Sequence, residues 1–423
     1  MKFTTFTLFA LLPATALAQS SSAASASASA SASASASASS ATASGAASNG
    51  TEYLTTVLGA LSAAGLTSLV SAAQGIAGTT EGQALLGSLS QGNKTVFAPS
   101  NAALSNVSQD ILSNNALLTQ ILSYHILNNT CTPAGIMSTP NHTIARTTLR
   151  GGNYTLPGNF TAPLVLSKNS TNSTGFQIVQ TSNNITASGN GTAAANLLVY
   201  VIDQVITLPQ SLTTVLPQLA PQLFGLAGSI PGLATQLTSA NGITIFAPND
   251  AAIGAIQSSL GTLNSTQVTN VLSNHIINGT AVYSTGLGSG NYTSAGGEPF
   301  KFVTNSTGSY VTSANSTAKI LQSDVIINNG VIHVIDSVLV NTNANAQAAA
   351  SAYSSAAAAA STSTEANTPV TATSAATTPS GSTSASGAAS AGERLAPLGI
   401  TTFMMGGIVA VVSAVVGGVI TLF

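Results

Sequence analysis

The chain says the same thing twice, and this constrains its folding more than any other feature. The block LTTVL at 54–58 returns unchanged at 212–216, and TVFAPSNAAL at 95–104 returns as TIFAPNDAAI at 244–253. ILSYHIL at 121–127 then returns as VLSNHII at 271–277, and LVYVIDQVI at 198–206 as IHVIDSVLV at 332–340. Because the blocks keep their order, the chain carries two copies of one domain. Each copy, roughly 130 to 160 residues, is long enough to bury a core of its own.

The blocks have a local logic. In Thr95-Val96-Phe97-Ala98 the β-branched and aromatic residues predict a short buried strand, which Pro99 closes by removing a backbone donor. Ser100 or Asn101 can cap the helix that Ala102, Ala103 and Leu104 begin, and Asn249 and Asp250 stand at the same places in the second copy. Leu118, Ile121, Leu122 and His125 share one helical face, and Val268, Val271, Leu272 and His275 repeat it. Both histidines therefore point toward a core, where a buried ring needs hydrogen-bond partners. Residues 199–202 and 331–335 read as buried strands closed by Asp203 and Asp336, carboxylates suited to accept backbone donors. Hairpins are expected at 164–167 with 176–179, at 302–304 with 310–312, and at 324–327 with 331–335 about Asn329-Gly330. From histidine to closing aspartate the first copy is longer by 17 residues (125 to 203 against 275 to 336), an insertion expected to be loop.

A strand ending in Phe-Ala-Pro, a helix carrying a histidine and a closing Val-Ile-Asp strand, in this order and twice over, resemble the fasciclin-like domain family across about residues 50–341. The resemblance implies an α+β fold of two tandem fasciclin-like domains, each a β-sandwich-like wedge with several α-helices. It also implies a non-enzymatic role at the cell surface, in adhesion and in matrix or wall organisation. In animal members the Tyr-His region is associated with integrin-dependent adhesion, which makes Tyr124, His125 and His275 the candidate interaction residues. The second copy departs from the pattern, with Asn274 where the first has Tyr124.

Only 4% of the residues are charged, against about 25% in an ordinary soluble domain, so something else must hydrate the surface. Asn-x-Ser/Thr sequons stand at Asn49, Asn93, Asn106, Asn128, Asn141, Asn153, Asn159, Asn169, Asn172, Asn184, Asn190, Asn264, Asn278, Asn291, Asn305 and Asn315. Their density predicts a heavily N-glycosylated surface with these asparagines on exposed loops. A net charge of -2 without a basic patch argues against a nucleic-acid partner. Cys131 is the single cysteine, so no internal disulfide can form, leaving a buried thiol or an intermolecular bridge as its two readings. His125, His142, His275 and His333 lack the spacing of a zinc helix, and neither a Gly-x-Ser-x-Gly elbow nor a phosphate loop occurs. The sequence thus nominates no catalytic residue, metal ligand or cofactor.

The two ends read as addresses. Residues 1–18 have the form of a secretory signal peptide: Lys2, an apolar run at 3–12, and Ala16-Leu17-Ala18 before the cut. Residues 19–49 alternate Ser and Ala, and 342–391 mix Ala, Ser and Thr with scattered Pro. Both are expected to be disordered arms, the second an O-glycosylated stalk. The alanine run at 356–360 favours helix, but the Ser and Thr around it argue against one that persists. In the segment 392–423, residues 400–423 are apolar and long enough to cross a hydrocarbon core of about 30 Å. No basic residue follows them, so a glycosylphosphatidylinositol (GPI) signal with Ser386, Gly387 or Ser390 as attachment site is preferred over a retained transmembrane helix. The two domains then occupy 50–208 and 209–341. The expected place is the outer face of the plasma membrane or the wall of a filamentous fungus, with surface or wall glycans and proteins, or a second copy of the chain, as partners. A vacuolar membrane protein acting in docking or fusion, and a protein that binds or modifies wall carbohydrate, are the alternatives.

Overall fold

The computed structural model describes residues 50–138, 141–168, 175–365 and 370–371. The expected signal peptide, the first arm, the segment 392–423, and Asn49, Asn169, Asn172, Ser386, Gly387 and Ser390 lie outside the described residues.

The first repeat opens with helices α1 (Gly50–Ala63), α2 (Thr67–Ile76) and α3 (Thr80–Ser88) before strand β1 (Lys94–Pro99). Helices α4 (Asn101–Ser105), α5 (Gln109–Ser113) and α6 (Asn115–Tyr124) follow, and then β2 (Ile126–Leu127). A run of strands completes it: β3 (Thr143–Arg146), β4 (Pro163–Ser167), β5 (Gly175–Val179), β6 (Asn184–Ser188), β7 (Thr192–Ala194) and β8 (Leu197–Ile202). The second repeat has α7 (Leu212–Leu219), α8 (Pro221–Gly228), α9 (Leu233–Ser239), β9 (Ile243–Pro248), α10 (Asp250–Leu260) and α11 (Ser265–Ser273). Strands β10 (Ile276–Asn278), β11 (Tyr292–Thr293), β12 (Pro299–Asn305), β13 (Gly308–Ser313), β14 (Ser316–Ile327) and β15 (Gly330–Ile335) close it. Beyond it lie a helix, α12 (Ala346–Thr362), and a short strand, β16 (Val370–Thr371).

Each repeat is a two-layered wedge, and one strand builds both layers. On β1, Val96 and Ala98 face the helices while Phe97 faces the other sheet, the alternation that a pleated strand imposes. On β9, Ile245 and Ala247 take the helical side and Phe246 the sheet side. Ser100 and Asn249 cap the helices after these strands, accepting from Ala103 N at 3.1 Å and Ala252 N at 2.9 Å. Their neighbours do other work: Asn101 accepts from Ser68 N and Asp250 from Gln222 N, each tying down an earlier helix. The β1–β8 and β9–β15 pairs are parallel and in matching register. That register corrects the last sequence block by one residue: 198–206 is equivalent to 331–339, since Leu198 pairs with Thr95 and Val331 with Thr244.

The expected hairpins form as β4–β5, β12–β13 and β14–β15. In the last, Gly330 is already in β15, pairing with Ile327, so Asn328 and Asn329 make the turn. Asp336 accepts from Lys319 N at 2.8 Å, the backbone-holding role expected of it. The extra length of the first repeat falls mainly between β3 and β4, where 147–162 stand against 294–298 between β11 and β12.

Four clusters of buried side chains fill the wedges, two in each repeat, and a small fifth one joins them. In that seam Ile144 and Val165 of the first repeat pack on Tyr283 and Val331 of the second. The arm at 342–391 needs correction at its beginning, where α12 runs for 17 residues. The Ser and Thr residues do not break it because Asn345 caps its first turn and one of its faces lies against the body of the protein.

Candidate functional site

The two histidines on helical faces are built identically. His125 follows α6, and its Nδ1 meets the Ile121 carbonyl at 2.7 Å while Ile206 N–H donates to Nε2 at 2.9 Å. His275 follows α11, with Val271 O at 2.7 Å and Leu339 N–H at 2.9 Å. A backbone N–H can only donate, so Nε2 must accept and Nδ1 must carry the hydrogen, which fixes the neutral tautomer in both copies. Burial pushes both imidazoles down to about 4, partly offset by the carbonyl each one meets. Each ring therefore clasps the end of a helix to the segment leaving the closing strand. With both nitrogens engaged and 2% exposure, neither ring has a free lone pair for a metal or substrate.

Beside the clasp the repeats diverge. Tyr124 is buried and its hydroxyl donates to Pro163 O at 3.0 Å, fastening the helix to β4. Burial raises its pKa, so the phenol stays protonated. Asn274 instead donates through Nδ2 to the carbonyls of Asn341 at 2.9 Å and Asn343 at 2.8 Å, and accepts from Ser294 Oγ at 2.6 Å. Tyr124, His125 and His275 therefore lie inside the fold rather than on its surface.

A further pair of equivalent sites has Thr95 and Thr244 on the first residues of the strand core. Thr95 Oγ1 donates to Asn129 O and accepts from Cys131 N, each at 2.8 Å. Thr244 does the same with Thr280 O and Val282 N, also at 2.8 Å. Cys131 thus occupies the place of a valine, is 2% exposed, and has its thiol pushed up to about 12 by burial. It sits as a small apolar residue in the core.

The polar centre that sequence reasoning missed lies on the seam. Asp324 Oδ1 accepts from Ser284 N at 2.7 Å, and Oδ2 accepts from Ser284 Oγ and from His142 Nδ1 of the first repeat at 2.7 Å. His333 stands behind it, donating through Nε2 to Val282 O at 2.9 Å. Its lone-pair nitrogen, Nδ1, faces Asp324 N at 3.4 Å. Burial alone would raise the Asp324 pKa, but the His142 hydrogen bond, the two imidazoles and Ser284 hold it below the ordinary carboxylate value. Asp324 is also left-handed, with φ of 62°, a conformation that asparagine and aspartate tolerate better than most residues. Nothing in the chain's linear spacing joins residue 142 to 324; the one local signal is an aspartate in the middle of a β-branched strand.

The seam cluster has an acid, two imidazoles and a hydroxyl, but it does not form a relay to an open nucleophile. The Asp324 side chain is wholly buried and spends its oxygens on Ser284 and His142, and the adjoining cleft, beside Gln180, Asn183 and Gln322, measures about 130 Å³. Among the described residues, no group of three or more His, Cys, Asp or Glu side chains is placed to hold a metal ion. Among the described residues, too, no helix is long and apolar enough to cross a membrane.

The outside is where the sequons lie. Asn93, Asn106, Asn141, Asn153, Asn159, Asn184, Asn190, Asn264, Asn278, Asn291, Asn305 and Asn315 are exposed, and Asn128 is half-buried. Asn264 shows how a sequon serves the fold as well: exposed as it is, its Oδ1 caps α11 by accepting from Gln267 N at 2.9 Å. Asn128 is less accommodating, because its Nδ2, the atom that would carry a sugar, donates to Thr147 O at 3.4 Å while Lys94 Nζ donates to its Oδ1 at 3.0 Å.

Comparison with known proteins follows the same division of the chain. The family model of the fasciclin domain matches residues 52–209 and 222–341. A fasciclin-like arabinogalactan protein of Arthroderma benhamiae is 26% identical over 237 residues, 56% of this chain and 54% of that protein. Immunogenic protein MPB70 of Mycobacterium bovis is 31% identical over 129 residues, 30% of this chain and 55% of that one. The chain spans about half the length of the curated relatives it matches. Among solved structures, a FAS1 domain pair from the insect cell adhesion molecule fasciclin I is similar over 62% of this chain and 93% of its own, at 18% identity and a TM-score of 0.31.

Proposed function

This chain belongs to the fasciclin domain family, and from that membership we propose that it is a non-enzymatic cell-surface glycoprotein that displays two repeats for adhesion and cell-wall organisation. The observation that carries this reading is the outward placement of the sequon asparagines on a chain with 4% charged residues. Sugar supplies the hydration that charge does not. The buried polar groups support the same reading, because His125, His275 and Asp324 are consumed in holding backbone and the seam rather than presented to a ligand. A secretory leader and a GPI anchor attached at Ser386, Gly387 or Ser390 would bring many copies to one surface. There, weak contacts to wall glycans, surface proteins or identical chains add as avidity.

Removing N-glycans enzymatically from the secreted chain tests the carrying observation: a mass loss of many glycans and reduced solubility are expected, and an unchanged mass would overturn it. Deleting the gene and scoring cell attachment, aggregation and wall integrity tests the role; a strain normal in all three would sink it. Phosphatidylinositol-specific phospholipase should release the protein from intact cells. Retention there, with an internal tag on the vacuolar membrane, would replace this reading by membrane docking.

A further inference from the structure

The segment leaving the second repeat is held at every step until it reaches the first. Asn274 holds the carbonyls of Asn341 and Asn343, and Asn270 Nδ2 donates to Thr342 O at 2.9 Å. Asn345 N then donates to Gly296 O at 2.7 Å before its side chain caps α12. Along α12, Ala348, Ala352, Ala356 and Ala360 recur every four residues and are half-buried, so this row is the face laid on the protein.

Three left-handed glycines make room for that approach. A Cβ on Gly297 would stand 2.0 Å from Asn345 O, one on Gly279 3.3 Å from Ala356 Cβ, and one on Gly158 2.8 Å from Ala360 O. Gly297 and Gly279 belong to the second repeat and Gly158 to the first, so the helix spans both.

At the far end stands a receptor for its next charge. Glu365 Oε1 accepts from Thr161 N at 2.7 Å and from Thr161 Oγ1 at 2.5 Å, and Oε2 from Arg150 at 3.3 Å. Arg146 Nε lies 3.8 Å from the same carboxylate. The Arg146 guanidinium also donates to Thr161 O at 2.8 Å and sits 5.3 Å from the ring centres of both Phe160 and Tyr283. Tyr283 is on the second repeat, so this one cation touches both repeats and the C-terminal segment. Val370 and Thr371 pair with Ile144 and Thr143 on the edge of β3.

We infer that Arg146, Arg150 and Thr161 form a carboxylate-binding seat on the first repeat whose ligand is the chain's own Glu365. Seated there, residues 342–365 are a strap that clamps the two repeats together. The loop that supplies Thr161 is the insertion peculiar to the first repeat, so the seat has no counterpart in the second.

Glu365→Gln in the full secreted chain removes the charge and keeps the shape. Amide exchange across 346–362 and chymotrypsin cleavage after Tyr353, a half-exposed residue of α12, should each rise about tenfold, the scale of one lost charge-assisted hydrogen bond. Protection of 96–98 and 245–247 should stay as in the parent, showing that both cores remain folded. Arg150→Ala, altering a side chain that is 48% exposed, should move both readouts the same way by a smaller factor. Unchanged exchange of α12 in Glu365→Gln would show that the alanine face alone holds the strap and would overturn the seat.

Discussion

The two repeats share a frame and differ at their seam. His125 and His275 clasp the same backbone groups at the same distances, and Thr95 and Thr244 bridge the same loop. Where the second repeat meets the first, equivalent positions change chemistry. Tyr200 of β8, which donates to Cys131 O at 3.1 Å, becomes His333, which donates to Val282 O. Gly191, with φ of 75°, becomes Asp324 in the same left-handed conformation. Register places them together, since Thr192 opposes Val199 and Val325 opposes Ile332. At Gly191 a Cβ would meet Leu198 Cδ1 at 2.8 Å, whereas Asp324 has space and partners for a carboxylate. The lesson is that the histidine clasps and threonine bridges are kept in duplicate, while Tyr124, Gly191 and Tyr200 of the first repeat give way in the second to side chains with other partners.

Acid should have the largest effect, and it acts on the histidine clasps that the repeats share. A histidine whose folded pKa lies near 4 binds fewer protons than its unfolded form, at about 6.5, throughout the interval between them. Stability is therefore full above the unfolded value and falls as pH drops. The loss between pH 7 and pH 4 is about 3 kcal/mol for each of His125 and His275. Burial lowers His333 as well, so it acts with the same sign. Urea unfolding midpoints measured from pH 7 to pH 4 check this; a flat profile would mean that the rings are not buried neutral.

Asp324→Gly, which converts the second repeat's bulge to that of the first, tests the specialised part. It relieves the left-handed strain but strands His142 and Ser284, and a net cost of about 3 kcal/mol is expected. His142→Ala should cost less, because the carboxylate keeps both Ser284 donors. Equal effects would place the energy in the inter-repeat pair alone and leave none to the Ser284 contacts.

Thr95→Val and Thr244→Val keep shape and remove the bridging hydroxyl, and each should cost about 1 to 3 kcal/mol by leaving a buried N–H and carbonyl unpaired. A difference above about 1 kcal/mol between the two would mean that the repeats are not energetically equivalent in their frames. The smallest effect belongs to Cys131→Val, which copies the second repeat and should shift stability by less than about 1.5 kcal/mol. Thiol labelling of the folded parent should be slow, since the group is buried and protonated.

Much of the frame was legible because it depends on short-range pattern. The Phe-Ala-Pro strand, its caps at Ser100 and Asn249, the inward histidines and three hairpins follow from periodicity and turn chemistry. The block alignment slipped by one residue at the closing strand because runs of β-branched residues look alike at neighbouring registers, and only pairing to β1 and β9 separates them. The strap escaped for a related reason. Alanine, serine and threonine bury too little to order themselves, and the partners that order them stand far away in sequence, at Gly297, Gly279, Gly158 and Thr161.

That there are two domains, which strands and helical faces turn inward, and where sequons stand could all be read from the sequence, because each depends on residue type and local order. Tertiary structure alone decided what the polar minority does. Whether a histidine binds, switches or clasps depends on which backbone groups reach its two nitrogens, and whether an aspartate is a liability or a pin depends on a histidine 182 residues away. Those distances exist only once the chain has folded.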